Sequence, residues 1–328
     1  TRADHRARRF DKLTNAVLRR VAEKGAELLT GGDSVVRDIP AWMFARWSAA
    51  YGPEAARDIA QASLSEAALD ISVKQDAEAW AVKLGGQLLS TGSIRVVSGG
   101  RVEDLPGYAE GAWWVQDAAA ALPVKLLGNV SGLDIADVCA APGGKTAQLA
   151  ALGARVTAVD LSDDRLARLR SNLKRLGLSA NAVAADAAAW QPDKLFDAIL
   201  VDAPCTATGT IRRHPDILHL KRPGDAAQLG AIQSQVLAAA AKALKPGGRM
   251  VYCTCSLEPE EGPQQVAQFL AAHPDFARLP VAPASIGGET AFITADGDLR
   301  TLPSHWGNLP EGLRGLDGFY AAVLMKAL

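Results

Sequence analysis

Cys205, in ILVDAPCTATG, and Cys255, in MVYCTCSLEPEEG, each follow a short apolar run that reads as a strand. A thiolate is soft and strongly nucleophilic. Two thiols at strand ends therefore suit attack on an electron-poor ring, a pyrimidine above all, followed by release of the adduct. The same chain carries the glycine-rich stretch DVCAAPGGKT, in which Gly143 and Gly144 let the backbone approach a ligand and offer amide donors at the start of the next helix. Thiol chemistry beside a bound cofactor is the implied combination.

The elements that must position these residues follow from pattern. From about Leu133 the order is strand, helix, strand: DIADV, a helix from Thr146, VTAVD, a helix from Asp163, a short AVAAD, then AILVD, a long alanine-rich helix and RMVYC, with DGFYAAVLMK as a last strand. This alternation predicts a doubly wound α/β sheet, whose ligands lie beyond the carboxyl ends of the strands. The helix from Asp163 is the best defined, with Ser162 as N-cap, Leu166, Leu169, Leu173 and Leu176 as its buried stripe and Gly177 as its stop. At the strand ends, Asp160 is placed to accept ribose hydroxyls and Asp186 an adenine amine. Upstream, residues 11–29 read as a helix with Leu13, Val17, Val21 and Leu28 at helical spacing, ended by Gly31 and Gly32. More helix is expected from Ile39 to about Leu69, with apolar bulk from Trp42, Phe44 and Trp47. A small mixed subdomain follows, with β-rich runs broken by Gly99, Gly100, Pro106 and Gly107. The first helix cannot bury its apolar face alone, and the chain starts at Thr1, so a fragment lacking an upstream part is expected.

Composition narrows the class. At 48% hydrophobic, 328 residues can bury a substantial core. No run reaches the roughly 18 apolar residues of a membrane helix, and TRADHRARRF lacks a secretory apolar segment, so a cytoplasmic location with four reduced cysteines is expected. The net charge of -1 hides two basic groups. One is the first 24 residues, with Arg2, Arg6, Arg8, Arg9, Lys12, Arg19, Arg20 and Lys24; the other comprises Arg212, Arg213, Lys221 and Arg222, just after Cys205. Either could hold phosphates, although charge runs are usually solvated surface. CAAPGGKT also approaches a phosphate-binding GxxxxGKT, with Asp202 imitating a magnesium-binding strand end, so a nucleotide hydrolase is a rival. That reading lacks the first glycine and gives the cysteines no task. Zinc is disfavoured because Cys253 and Cys255 are separated by a single residue and no paired histidines follow.

CAAPGGK, VDLSDDRLARLRSNLKRLGL, FDAILVDAPCTATGTIRRHPDI and YCTCSLEPEEG together resemble the Nol/Nop/Sun RNA cytosine-5 methyltransferases, in their bacterial Sun (Fmu) branch. The resemblance runs from about Leu13 to Leu328. It implies a Rossmann-like S-adenosylmethionine-dependent methyltransferase sheet over residues 131–328. Before it would come a small α+β RNA-contacting subdomain over 34–130 and, at 1–33, the C-terminal helix of a NusB-like RNA-binding domain. It also implies S-adenosyl-L-methionine held by Cys139, Ala140, Ala141, Pro142, Gly143, Gly144 and Lys145, with Asp160 at the ribose, Arg165 nearby, Asp186 near the adenine and Asp202 beside the reacting groups. Cys255 would be the nucleophile toward carbon 6 of cytosine, Cys205 would help remove the carbon 5 proton, and Asp202 would hydrogen-bond the ring.

A helix beginning near Pro259 and the bound sulfonium would favour the Cys255 thiolate. Arg212, Arg213 and His214 would meet phosphates flanking the target base. The implied partner is RNA, with 16S ribosomal RNA first and transfer RNA as an alternative, and the implied state is a monomer without metal. Two departures from the family pattern stand out: Cys253, where alanine is common, and LDIS in place of LRVN. A DNA cytosine methyltransferase would use Cys205 as nucleophile, and an RNA-binding protein without catalysis would need neither thiol.

Overall fold

The computed structural model describes residues 8–29, 33–97 and 100–328. They divide into two compact units, one of residues up to Ala41 and one spanning Trp42–Leu328. In the first unit α1 (Asp11–Leu29) forms where helical spacing predicts it, with Leu13, Val17 and Val21 more than half exposed. The expected stop at Gly31 and Gly32 lies outside the described residues, as do Arg2, Arg6, Gly99 and the side chains of Arg8 and Leu28. Asp33 caps α2 (Ser34–Asp38) by accepting from the Val35 amide at 3.0 Å.

The helical stretch expected from Ile39 onward is broken by Pro40 and by the Gly52-Pro53 pair, because proline cannot continue the hydrogen-bond ladder of a preceding turn. It yields α3 (Ala41–Tyr51), which buries Met43 and Trp47 one turn apart, and α4 (Pro53–Ser63). Then come β1 (Leu69–Val73), α5 (Ala77–Lys83), β2 (Gln87–Leu88), β3 (Ile94–Val96) and β4 (Trp113–Val115), and the strands form an antiparallel sheet in the order β2-β3-β1-β4. Asp70 of β1 lies opposite Arg95 of β3 in register. Both are fully buried, and they join through two hydrogen bonds of 2.7 Å.

The boundary expected at 130/131 does not divide the molecule: residues 42–328 are one unit, and the break expected at 33/34 comes at 41/42. Hydrogen bonds account for this. Arg95 also donates to the carbonyls of Leu313 and Gly315, and Asp70 accepts from the amide of Ala118, the first residue of α6 (Ala118–Lys125). Leu89 and the apolar residues of α6 then join the core under the large sheet.

That sheet starts with β5 (Asp134–Val138), α7 (Gly144–Ala151), β6 (Arg155–Asp160), α8 (Asp163–Leu176), β7 (Asn181–Ala184) and β8 (Phe196–Asp202). After α9 (Ile217–Leu220) come α10 (Asp225–Ala243), β9 (Leu244–Thr254), α11 (Pro263–Ala272), β10 (Phe276–Leu279), β11 (Leu299–Thr301) and β12 (Phe319–Lys326). The order is β10-β12-β9-β8-β5-β6-β7, with β11 paired to β12. β5 to β9 pair in parallel, whereas β12 and β10 are antiparallel. This is the predicted Rossmann-like sheet.

Both faces are covered. Leu200 and Val251 join the core on one side and Ile199, Val201, Met250 and Tyr252 on the other, which is why β8 reads as an unbroken apolar run. α8 matches its prediction: Ser162 Oγ accepts from the Arg165 amide at 3.3 Å, its four leucines are buried, and Gly177 ends it at φ 64°. α7 starts at Gly144, two residues before Thr146.

Candidate active site

Strand order reverses between β5 and β8, so the loops that follow them diverge and leave a crevice, the general ligand position of such sheets. Beyond β8 and β9 the parallel ladder is prolonged by Ala203 N donating to Cys253 O at 3.0 Å and Gly209 N to Cys255 O at 2.9 Å. That register brings Cys205 Sγ to 3.5 Å from Cys255 Sγ. The Cys205 thiol is pushed well above its ordinary pKa by the hydrogen bond to Cys255, then by burial and by negative charge on Cys255 and Glu261. Either sulfur can donate in this contact.

One cation reaches this pair. Lys145, in the first turn of α7, donates its Nζ to Asp202 Oδ2 at 2.7 Å and lies 4.8 Å from the centre of the Phe319 ring. Burial pulls the ammonium's pKa down, but the charge of Asp202 and its hydrogen bond outweigh it and hold Lys145 protonated. The other oxygen of Asp202 accepts from Cys253 Sγ at 3.5 Å. Burial and Asp202 raise the Cys253 thiol well above its usual value, and burial with Asp202, Asp160 and Asp137 pushes Cys139 up to about 12. These two thiols are inert. Lys145 is spent on a carboxylate, so it is not poised for a phosphate as the hydrolase reading requires.

The stretch Cys139–Lys145 is held from three sides. Asp160 Oδ2 accepts from Ala141 N at 3.1 Å and Oδ1 from Ser162 N at 3.1 Å. Arg165 donates to Ala141 O at 2.6 Å and pairs with Asp160 at 3.3 Å, and Asn172 donates to Pro142 O at 3.1 Å. Gly143 adopts φ 104°, and a Cβ there would stand 2.8 Å from Leu169 Cγ, so α8 packs against the loop only because that residue is glycine. Asp186 is exposed, and its Oδ1 accepts from Ala188 N at 3.0 Å.

Sequence reading missed Asp137. It is fully buried, with Oδ2 accepting from Thr146 Oγ1 at 2.5 Å and Oδ1 without a partner. Burial pushes its carboxyl up to about 7. The signal available was an acid inside the apolar strand DIADV. Three carboxylates, Asp137, Asp160 and Asp202, thus lie at or next to the ends of neighbouring strands, with Lys145 paired to Asp202 and Arg165 to Asp160. A ligand carrying positive charge and hydroxyls fits this donor and acceptor set.

Two expectations need correction. Arg212 and Arg213 do not offer their charge to a phosphate. Arg212 is buried and donates to Arg314 O at 3.1 Å, while Arg213 bridges Asp117 at 2.5 Å and Asp317 at 3.1 Å. Burying the Arg213 guanidinium demands such partners, which come from segments distant in sequence, whereas Nε and one terminal nitrogen of the buried Arg212 have no hydrogen-bond partner. His214 is exposed. The helix expected near Pro259 is a three-residue 3-10 turn, Pro259–Glu261, and α11 begins only at Pro263. Also missed was a clamp from α3: Arg46 Nε donates to Glu258 Oε2 at 2.5 Å, Trp47 Nε1 to Glu258 Oε1 at 3.2 Å and Tyr51 OH to Leu257 O at 2.5 Å. Contacts spanning more than 200 residues leave no local signal.

Residues 124–325 match the family model described as 16S rRNA methyltransferase RsmB/F. The chain belongs to this family. It is 44% identical over 239 residues to ribosomal RNA small subunit methyltransferase B of Erwinia tasmaniensis, a match covering 71% of this chain and 52% of that protein. It is 40% identical over 336 residues to the protein of the same name from Sodalis glossinidius, covering 97% and 73%. The chain thus spans about half the length of several curated relatives. Among solved structures, a methyltransferase homolog protein from Pyrococcus horikoshii superposes with TM-score 0.72 at 27% identity, covering 90% of this chain and 98% of that one. NSun6 from Pyrococcus horikoshii, solved with SFG, shares the fold at TM-score 0.74 and 19% identity, covering 89% and 100%. The RsmB/F match includes the loop at 139–145 and both paired cysteines, whereas α3 and β1 precede it.

Proposed function

We propose that this chain transfers a methyl group from S-adenosyl-L-methionine to carbon 5 of a cytosine in RNA, 16S ribosomal RNA before any other, as a cytoplasmic monomer. The observation that carries this reading is the Cys205–Cys255 pair, its sulfurs 3.5 Å apart beside the glycine-rich loop. Cys139 to Lys145 would cradle the methyl donor, with Asp160, Arg165 and Asp186 toward its nucleoside and Asp202 near the reacting groups. When bound, that cofactor supplies an electrophilic methyl group on a cationic sulfur.

The chain's own residues divide the work. The Cys255 thiolate adds to carbon 6, Asp202 hydrogen-bonds the ring while N3 gains a proton, and carbon 5 becomes nucleophilic enough to take the methyl group. Covalent attachment consumes the charge on Cys255. That removes the hydrogen-bond acceptor and the negative charge that had kept the proton on Cys205, so Cys205 becomes easier to ionise just when a base is required. Cys205, having given its own proton to solvent, then takes the carbon 5 proton, the C–H electrons re-form the ring double bond, Cys255 leaves as thiolate, and N3 returns to solvent the proton it took from there. The Lys145 ammonium stabilises that thiolate before and after the cycle. The target base must be unpaired or expelled from its stack to reach the sulfurs. His214, Arg222 and the exposed Arg9, Lys12, Arg19, Arg20 and Lys24 are among the basic residues that could meet the RNA backbone. Residues 1–33 are read as the end of a helical RNA-binding domain.

The test uses Cys205→Ser and Cys255→Ser variants incubated with cytosine-bearing RNA and the methyl donor. Denaturation-resistant protein–RNA adducts should accumulate with Cys205→Ser and be absent with Cys255→Ser. Methyl transfer should fall by at least about a thousand-fold in the latter, the scale on which a covalent nucleophile is missed. The reverse pattern exchanges the two roles, and adducts with neither variant remove the covalent route.

A further inference from the structure

Glu261 is fully buried, and among the described residues it forms no ion pair. Its carboxylate instead collects neutral donors from three segments. Thr206 N reaches Oε1 at 2.9 Å and Oε2 at 3.2 Å, and Thr206 Oγ1 also donates to Oε2. Ser256 Oγ donates to Oε2 at 2.6 Å, and Gln233 Nε2 from α10 donates to Oε1 at 3.1 Å. Thr206 directly follows Cys205, and Ser256 directly follows Cys255. The Glu261 carbonyl is fixed in turn by Tyr252 OH at 2.9 Å and Thr254 Oγ1 at 3.1 Å, both from β9.

We propose that Glu261 is the positioning residue of the cysteine pair, its single buried carboxylate fastening the Cys205 loop to the Cys255 loop so that the two sulfurs stay within bonding reach. The backbone ladder alone sets the loops side by side through Ala203 and Gly209, but neither of those bonds involves the residue next to each sulfur on its carboxyl side. Thr206 Oγ1 and Ser256 Oγ, 3.0 Å apart, meet across that gap, and the carboxylate binds both of them together. The carboxylate's negative charge also adds to the raised pKa of the neighbouring Cys205, after the hydrogen bond to Cys255, burial and the charge of Cys255. Both effects deepen the proposed function by naming what holds its two thiols in register.

Proximity of the sulfurs can be read without any methyl transfer. Oxidised glutathione converts the two thiols to a disulfide and releases two molecules of glutathione. The equilibrium constant for this exchange on the whole folded chain, with the link mapped to Cys205 and Cys255 by fragmentation mass spectrometry, reports how well the pair is pre-set. Glu261→Gln should lower that constant by at least about ten-fold, since charge-assisted hydrogen bonds are lost and two amide hydrogens face existing donors. With RNA and cofactor, the same variant should shift adducts toward slow release. An exchange constant within two-fold of wild type in a folded Glu261→Gln chain overturns the proposal. Where Glu261→Gln does not fold, Ser256→Ala decides: removing one donor should lower the constant by about three-fold or more, and no change overturns the proposal. Failure of the methyl-transfer reading would leave this exchange result untouched, so the two are told apart.

Discussion

Asp70 and Glu261 are both buried carboxylates, and they are satisfied in opposite ways. Asp70 sits in the small sheet with both oxygens on the guanidinium of Arg95, so its charge is cancelled where it lies. Glu261 sits between the cysteine loops with neutral donors only, so its charge is solvated but not cancelled. The first arrangement fastens elements together and projects little field. The second fastens elements and also acts on a titratable neighbour, which is why it lies at the site and the other does not. Asp137 extends the series: with one donor and one oxygen lacking a partner, it meets its burial by holding a proton.

Breaking the cancelled pair should have the largest effect on stability. Arg95→Met leaves Asp70 uncompensated and two carbonyls of the 313–315 loop without their donor, so urea unfolding should show a loss of about 3–5 kcal/mol. A loss below about 1 kcal/mol would mean that Asp70 is no charged anchor.

Asp137 sharpens the comparison through pH. Its folded carboxyl titrates near 7 against an ordinary value of 3.8, so between these values the unfolded chain releases a proton that the folded one keeps. Its contribution is therefore fully present below about pH 4, is lost as pH rises toward 7 and is level above, with a limiting slope of about 1.4 kcal/mol per pH unit. Asp137→Asn should remove that slope, as seen in the difference between variant and wild-type urea midpoints at pH 5, 6 and 7. Parallel profiles would show that Asp137 is ionised throughout.

Smaller effects follow. Gly143→Ala forces a side chain into φ 104° and against Leu169, and should cost about 2 kcal/mol in thermal unfolding together with weaker binding of the methyl donor. Arg155→Ala removes an exposed partner of Asp134, which keeps Lys194 at 2.8 Å, and should leave the urea midpoint unchanged. A loss there would blur the distinction between buried and exposed carboxylates.

Legibility in the sequence followed the range of the contacts. α8 could be read to the residue because its cap, stripe and stop are separated by single turns. The loop at 139–145 could be read because glycine at 143 answers a local backbone demand. Strands β8, β9 and β12 could be read because burial on both faces leaves apolar runs, whereas the short β10 and β11 were not read. Glu261 and the α3 clamp could not, since an acid in SLEPEEG looks the same whether it is solvated or holds two loops 55 residues apart. The basic IRRH stretch misled for the same reason: Arg213 finds Asp117 and Asp317, and Arg212 the Arg314 carbonyl, about a hundred residues away. The division expected at 130/131 failed because Asp70 and Arg95 tie the small sheet to α6 and to the 313–315 loop.

The grip of Arg46, Trp47 and Tyr51 on Leu257 and Glu258 has a consequence for how far this protein can be pared down. A piece cut at residue 131 would retain every motif of the nucleotide fold and both sulfurs. It would nonetheless lose the splint that supports the Cys255 segment from outside, along with the Asp117 counter-ion of Arg213. The upstream helix thus braces the segment that follows Cys255, and trimming to the apparent minimal core would keep the two sulfurs but remove that brace.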